Sequence, residues 1–309
     1  MDEPPIDRAG GLLHFTEGTL AYAGHYLHEQ SHPVHAHSFV EVAVVTGGEG
    51  VHVSLAGRQP LAVGDVVLLR PGVWHGYEGC RRLDVFNCCF SSDLLQRELA
   101  WAREDPLLNH LLWTGLYSGQ RRGMLTTRLD STALTECVEP LDALDRLRFR
   151  PLSLYRSEVI ARLIQFLGGV ARFVASTAGG SEAATGPGHP MVVRAMRLME
   201  ADPTRPWTLT DLAAELHLSR GYLVRRFKAE TGLPPMAYLS RFRVELAAAM
   251  LLHGDHSITQ IGEAVGWPDA NNFARRFRAH YGMSASAYRT QFRDNTVRLR
   301  SWTEQRQVG

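Results

Sequence analysis

The chain has 309 residues, 45% of them hydrophobic, with four cysteines and a formal net charge of +1 at pH 7. That length exceeds the roughly 100–200 residues of an ordinary single-core domain, so two packed domains are expected. No uninterrupted apolar run approaches the ~18–20 residues that cross a bilayer, and the opening "MDEPPIDRAG" is acidic and proline-rich where a secretion signal is basic and then apolar, so a cytoplasmic protein without a membrane partner is expected.

Residues 18 to 90 alternate short apolar runs with glycine-bearing stretches that read as turns ("TGGEG", "LAGRQP", "AVGD", "RPGVWHG"). This is the pattern of many short antiparallel strands. Within it, "HPVHAHSFVEV" spells H-x-H-x-x-x-E through His35, His37 and Glu41, whose even spacing puts them on one face of a strand. "GDVVLLRPGVWH" adds His75 after a Pro71-Gly72 turn. Together these stretches resemble the two motifs of the cupin superfamily, whose enzymes bind a divalent metal through two histidines, a glutamate and a later histidine. The resemblance implies a small β-barrel with His35, His37, Glu41 and His75 as metal ligands, and three imidazoles with a carboxylate suit Zn, Fe, Mn or Ni. Two other readings stay open. The same groups, with Trp74 and Tyr77 beside His75, can line a metal-free effector pocket in which the aromatic rings stack on a sugar, or they can be hydrogen-bonded interior residues. His14, His25, His28, His32 and His52 show no second ligand spacing and read as ordinary surface or strand histidines. Adjacent Cys88 and Cys89 face opposite sides of a strand, and with no C-x-x-C spacing the cysteines read as structural thiols. There is no G-x-S-x-G and no phosphate-binding glycine loop, so nucleophilic catalysis has no support.

From Asp93 to Thr177 the period changes to helical: "RSEVIARLIQFLGGVARFVA" spaces Val159, Leu163, Phe166, Val170 and Phe173 along one helix face, a stripe for dimerisation or for core packing. "STAGGSEAATGPGHP", residues 176 to 190, reads as a flexible linker. Charge divides at the same place. Residues 1–189 carry 16 Arg against 21 Asp and Glu, whereas residues 190–293 carry 14 Arg and Lys against 9 acids. A basic carboxyl-terminal part suits nucleic acid, as does a merely solvated basic face.

The last hundred residues contain one unit twice. Leu212, Leu216 and Leu218 match Ile261, Val265 and Trp267 at an offset of 49, and Arg225, Arg226, Phe227, Ala229, Gly232 and Tyr238 match Arg275, Arg276, Phe277, Ala279, Gly282 and Tyr288 at an offset of 50. One extra residue therefore lies in the second turn. Each unit has the layout of a helix-turn-helix, with Thr210 and Ser219 as expected helix caps in the first. The second helix of each leaves Arg220, Gly221, Tyr222, Val224, Arg225 and Lys228, or Ala270, Asn271, Asn272, Arg275 and Arg278, outside the core. Arg suits guanine edges and phosphates and Asn suits adenine, as a recognition helix requires. The alternative is a basic helical hairpin repeat for protein contact.

The set "LAAELHLSRGYLVRRFKAETGLPPMAYL…R" followed by "ITQIGEAVGW…NNFARRFRAHYGMSASAYR" closely resembles the DNA-binding domain of the AraC/XylS family of bacterial transcription regulators, over about residues 190 to 292. The resemblance implies that "PMAYLSRFRVELAAAMLL" holds two recognition helices about one DNA turn apart in successive major grooves. Gly262 stands where the family usually has Ala, Trp267 where Phe is usual and Ala285 where Pro is usual. Gly262 is expected to loosen the second unit by up to ~1 kcal/mol. Gly221 removes a side chain often used for base contact.

These readings combine into an α+β multidomain chain. It comprises a cupin-like effector barrel (1–92), a helical dimerisation segment (93–177), a linker (178–189), an all-α domain with two helix-turn-helix units (190–293) and a tail (294–309). The resemblance implies a transcription regulator rather than an enzyme: a homodimer that binds promoter or operator DNA, contacts RNA polymerase and needs no cofactor. Its effector is implied to be a carbohydrate, because the H-x-H-x-x-x-E spelling is similar to that of rhamnose-responsive members. The rival is a metal-dependent cupin enzyme with an appended helical domain.

Overall fold

The computed structural model describes residues 6–7, 14–15, 21–91, 94–95, 97–117, 123–147, 150, 152–177, 189–252 and 255–292. The expected linker, apart from His189, and the expected tail lie outside the described residues.

A short pair, β1 (Ile6–Asp7) with β2 (His14–Phe15), precedes a seven-stranded antiparallel sheet. The sheet holds β3 (Ala21–His28), β4 (His32–His35), β5 (Val40–Ser54), β6 (Gly57–Leu61), β7 (Asp65–Leu69), β8 (His75–Phe90) and β9 (Met124–Arg128). Its axis is the pairing of the two long strands β5 and β8, from Val40 opposite Phe90 to Ser54 opposite His75. "TGGEG" is not a turn. It lies inside β5, where the register with β8 shifts between Val45 and Val51, and such bulges bend a strand. Gly48 has φ +68°, and a Cβ there would sit 2.1 Å from the Arg82 carbonyl oxygen, so the bend requires glycine. The bend makes two half-sheets of one. The outer halves of β5 and β8 pair with β7 and β3, the inner halves with β6 and β4.

Strand alternation then sorts the side chains. Val40, Val42 and Val44 join a large core with the helices, whereas Ala43 and Val45 join a smaller core inside the bend with Val67, Leu69, Val73 and Tyr77. Cys88 and Cys89 fall into different clusters, on opposite faces as expected, and the cysteines are unbridged and buried. β9 lies within the stretch read as helical. Its five residues pair with β7 and Arg128 Nε donates to Asp65 Oδ1 over 2.6 Å, so the sheet extends well past residue 92. A strand that short leaves too few residues for a period to register.

Helices α1 (Ser131–Leu147) and α2 (Leu152–Thr177) pack on each other and on β3. Residues Ser153–Thr177 are, by length and composition, long and apolar enough to cross a membrane. Here Val159, Leu163, Phe166 and Val170 are buried in the main core, so the stripe is core packing.

The carboxyl-terminal region contains α3 (Pro190–Ala201), α4 (Leu209–Glu215), α5 (Arg220–Thr231), α6 (Pro235–Leu252), α7 (Ile258–Ala264) and α8 (Ala270–Tyr281). The first unit is α4 and α5, the second α7 and α8, joined by α6. Thr208, not Thr210, caps α4: its hydroxyl accepts from Asp211 N while Asp211 Oδ2 accepts from Thr208 N, a reciprocal box that Thr210, inside the first turn, cannot make. Ser257 and Gln260 repeat the box at the offset of 49. Ser219 caps α5 as expected and Asp269 caps α8 at the offset of 50, which makes Pro268 the extra residue. Both second helices end on a left-handed glycine, Gly232 and Gly282. Arg243 of α6 ties the units together. It donates to the carbonyls of Pro203 and Arg205 before the first unit and lies 5.7 Å from the Trp267 ring of the second.

Candidate effector site and DNA-reading face

In a flat sheet Glu41 and His75 would be far apart, since His75 pairs with Ser54 and 13 residues of strand span roughly 40 Å. The bend in β5 and β8 folds the strands over, and His75 Nε2 lies 3.6 Å from Glu41 Oε2. His37 is not on a strand with Glu41. It sits in the loop between β4 and β5, where its Nδ1 donates to the Phe39 carbonyl over 2.9 Å and its ring stacks on Phe39, and its Nε2 stands 2.7 Å from the same Glu41 oxygen. Among the described residues, His37, Glu41 and His75 form a buried group whose ligand atoms all lie within 4.8 Å of one another.

His35 is not in that group. Its Nδ1 donates to the Pro33 carbonyl and its ring lies 4.4 Å from His75 but 6.3 Å from His37, because the loop breaks the strand alternation that the even spacing assumed. Trp74 is not at the site either: it packs with the second helix-turn-helix unit, its ring stacked 6.5 Å from Phe292. Tyr77 is buried, with its ring 5.7 Å from His75. His52, read as an ordinary strand histidine, is fully buried 5.5 Å from the His75 ring. Among the described residues, neither ring nitrogen of His52, nor Nδ1 of His75, nor the Tyr77 hydroxyl has a hydrogen-bond partner. No ligand spacing marks His52, because it reaches the site only through the bend.

Burial disfavours the charged form of His35, His52 and His75, while the Glu41 carboxyl is held in its ionised form. Burial pushes His35 and His52 down to about 4 against the partial opposition of Glu41, and pushes His75 well below its ordinary value, helped by its histidine neighbours. Burial alone would raise the Glu41 carboxyl, but the adjacent His37, through charge and hydrogen bond, holds it below its ordinary value. Neutral imidazole lone pairs with one carboxylate are a donor set for a divalent transition metal.

At the other end, α5 buries Leu223 and Phe227 and exposes Arg220, Tyr222, Arg225 and Lys228, with Val224 half-buried. α8 buries Phe273 and Phe277 and exposes Asn271, Arg275 and Arg278. Asn272 is half-buried, and its amide oxygen accepts from Arg275 and Arg276. Arg276 also donates to Ser240 Oγ of α6, which orients the second helix from behind. Gly221 opens onto empty space. Gly262 does not: a Cβ there would lie 3.2 Å from the Phe273 ring and from the Trp267 carbonyl oxygen, so this glycine accommodates the bulky pair beneath it.

Residues 212–291 match a family described as a helix-turn-helix domain, and residues 18–130 match one described as an AraC-like ligand binding domain. The chain belongs to the AraC family. The second match runs through β9, in agreement with the extended sheet. The HTH-type transcriptional activator RhaR of Pectobacterium carotovorum is 28% identical over 260 residues, 84% of this chain and 87% of that protein. An AraC-like transcription regulator of Streptomyces lividans is 38% identical over 100 residues, 32% of this chain, and the match spans about a third of that relative, 33%. ToxT from Vibrio cholerae O395, solved with (E)-4-(8-methylnaphthalen-1-yl)but-3-enoic acid, shares the fold at a TM-score of 0.50 and 13% identity, over 88% of this chain and 99% of that one. The AraC-family chain thus pairs a ligand-binding sheet domain with a helix-turn-helix domain, and its relatives are regulators rather than enzymes.

Proposed function

We propose that this AraC-family protein binds promoter or operator DNA through α5 and α8 and regulates transcription in response to a small effector held in the sheet domain. The observation that carries the reading is the duplicated unit: two capped helices, each with its apolar side buried and its Arg, Asn and Lys side exposed, joined through one rigid helix. Arg220, Tyr222, Val224, Arg225 and Lys228 in one groove, and Asn271, Asn272, Arg275 and Arg278 in the next, are the contacts proposed, with Arg226 and Arg276 in supporting roles. A carbohydrate is the first organic effector class to screen, from the likeness to rhamnose-responsive members. The effector region is that of His35, His37, Glu41 and His75. A cytoplasmic homodimer that contacts RNA polymerase completes the proposal. The dimer would use faces other than the buried α2 stripe, and Leu154, 76% exposed, is a large apolar side chain left outside.

Footprinting on the protein's own upstream region, followed by affinity measurements, tests the reading. Arg225→Ala and Arg275→Ala should each weaken specific binding by about 1–3 kcal/mol and relax specificity at base positions about one helical turn apart. Wild-type affinity in both variants would remove these helices from the interface.

A further inference from the structure

We propose that Asn272 is a positioning residue that presents Arg275 to a guanine, so that the half-site under α8 demands its guanine more stringently than any base is demanded through Arg225 of α5. The inference rests on the regulator reading above and names what the second helix recognises.

Asn272, Arg275 and Arg276 stand at i, i+3 and i+4, the spacing that brings side chains together on one helix face. The Asn272 amide oxygen accepts from Arg275 Nη2 over 3.1 Å and from Arg276 Nε over 3.1 Å. A guanidinium only donates, so both contacts fall on the oxygen end of the amide, and that oxygen has two lone pairs. Both are taken. Pairing with adenine needs the same oxygen to accept from N6 while the amide nitrogen donates to N7, so Asn272 is unfit for adenine although its residue type suggests it. Exposed Asn271 is the asparagine left with a free amide for that pairing.

The brace is anchored away from the DNA. Arg276 Nη1 donates to Ser240 Oγ of α6 over 2.9 Å, and its guanidinium carbon lies 5.8 Å from the Trp267 ring, within cation–π range. Asn272 passes this fixity to exposed Arg275. One of the five N–H donors of Arg275 is used, which leaves enough for two parallel bonds to O6 and N7 of guanine, the base with two acceptors side by side in the major groove. Ordering a long side chain before binding removes that cost from association and narrows the positions its donors reach. The first unit has no such brace. At the offset of 50, Tyr222 stands for Asn272, and Arg226, the counterpart of Arg276, lies 4.0 Å from Glu230 of its own helix. Among the described residues Arg225 has no hydrogen-bond or ion-pair partner, so it keeps its rotamer freedom and suits a guanine, a thymine carbonyl or a phosphate alike.

The full chain is bound to the footprinted operator and to fragments in which each base pair under α8 and α5 is exchanged in turn. One guanine under α8 should be preferred over the other bases by about ten-fold or more, and more steeply than any preference that Arg225→Ala removes under α5. At that position 7-deazaguanine, which lacks the N7 acceptor, should weaken the wild type by about five-fold or more and leave Arg275→Ala unaffected. Asn272→Ala and Ser240→Ala, each checked for a native circular dichroism spectrum, should lower the guanine preference by about three-fold or more. Asn272→Asp, which retains the acceptor, should keep the preference while affinity for every fragment falls with the added negative charge. Overturning results are an adenine preference at the position that Asn272→Ala relaxes, indifference to 7-deazaguanine, an undiminished preference in Asn272→Ala or Ser240→Ala, its loss in Asn272→Asp, or an equally steep preference through Arg225. A wild-type chain that retains no fragment specifically overturns the regulator reading instead.

Discussion

At the scale of single residues, burial dictates what the histidines do. His35 and His52 are held at about 4 in the folded protein, below the ordinary 6.5. Between those values the unfolded chain binds protons that the folded chain refuses, so stability rises with pH across the window and is lost as pH falls through it. Metal-free protein should therefore show a melting temperature that drops from pH 7 to pH 5 at constant ionic strength. His52→Gln should flatten the dependence, and a flat wild-type profile would contradict the burial of these rings. His52 also shows the limit of motif reading: nothing local marks it, since its partners lie more than twenty residues away on β8. Gly262 makes the complementary point. Helix propensity alone counts it as a cost, but the nearby Phe273 ring and Trp267 carbonyl leave little room for a methyl group.

At the scale of elements, the helix-turn-helix units were legible almost to the residue. Their signals are local: caps, a left-handed glycine at each C-terminus, and apolar residues at helical spacing. The difference at Thr208 concerns only where α4 begins, and element ends are the least determined feature of such patterns. Thr208→Ala should cost about 1 kcal/mol in chemical denaturation, whereas Thr210→Ala should cost much less. Equal losses would return the cap to Thr210. β5 and β9 were less legible. Glycines that would mark a turn in an ordinary hairpin here permit a bend in a continuous strand, because the partner strand β8 is long enough to follow it.

At the scale of the molecule, the two reading units are held differently. The main core runs without interruption from the sheet through α1 and α2 into the first unit, including Val192, Met196, Leu212, Leu223, Phe227 and Tyr238. Arg103, paired with Glu200, which also accepts from Tyr238 Oη, reinforces that junction. The second unit has a core of its own and meets the sheet domain through Val34, Ala36, Trp74 and the turn at Gly72. Hydrogen exchange should find amides of residues 258–281 opening at lower free energy than those of the first unit, since fewer shared apolar contacts must break. Equal protection in the two units would argue for one cooperative body and against a movable second unit.

The sequence by itself determined the class of protein, the duplicated reader, its basic faces and the neighbourhood of the histidine site, because helical periodicity, capping and short motifs are encoded within a few residues. Tertiary structure alone decided that His37, Glu41 and His75 meet, that buried His52 lies beside them, that Trp74 packs with the second unit, that the α2 stripe is core, and that the turn at residues 70–74 touches the second unit. Those facts depend on how a bent sheet closes and what docks on it, and contacts between residues far apart in the chain leave no period in the sequence.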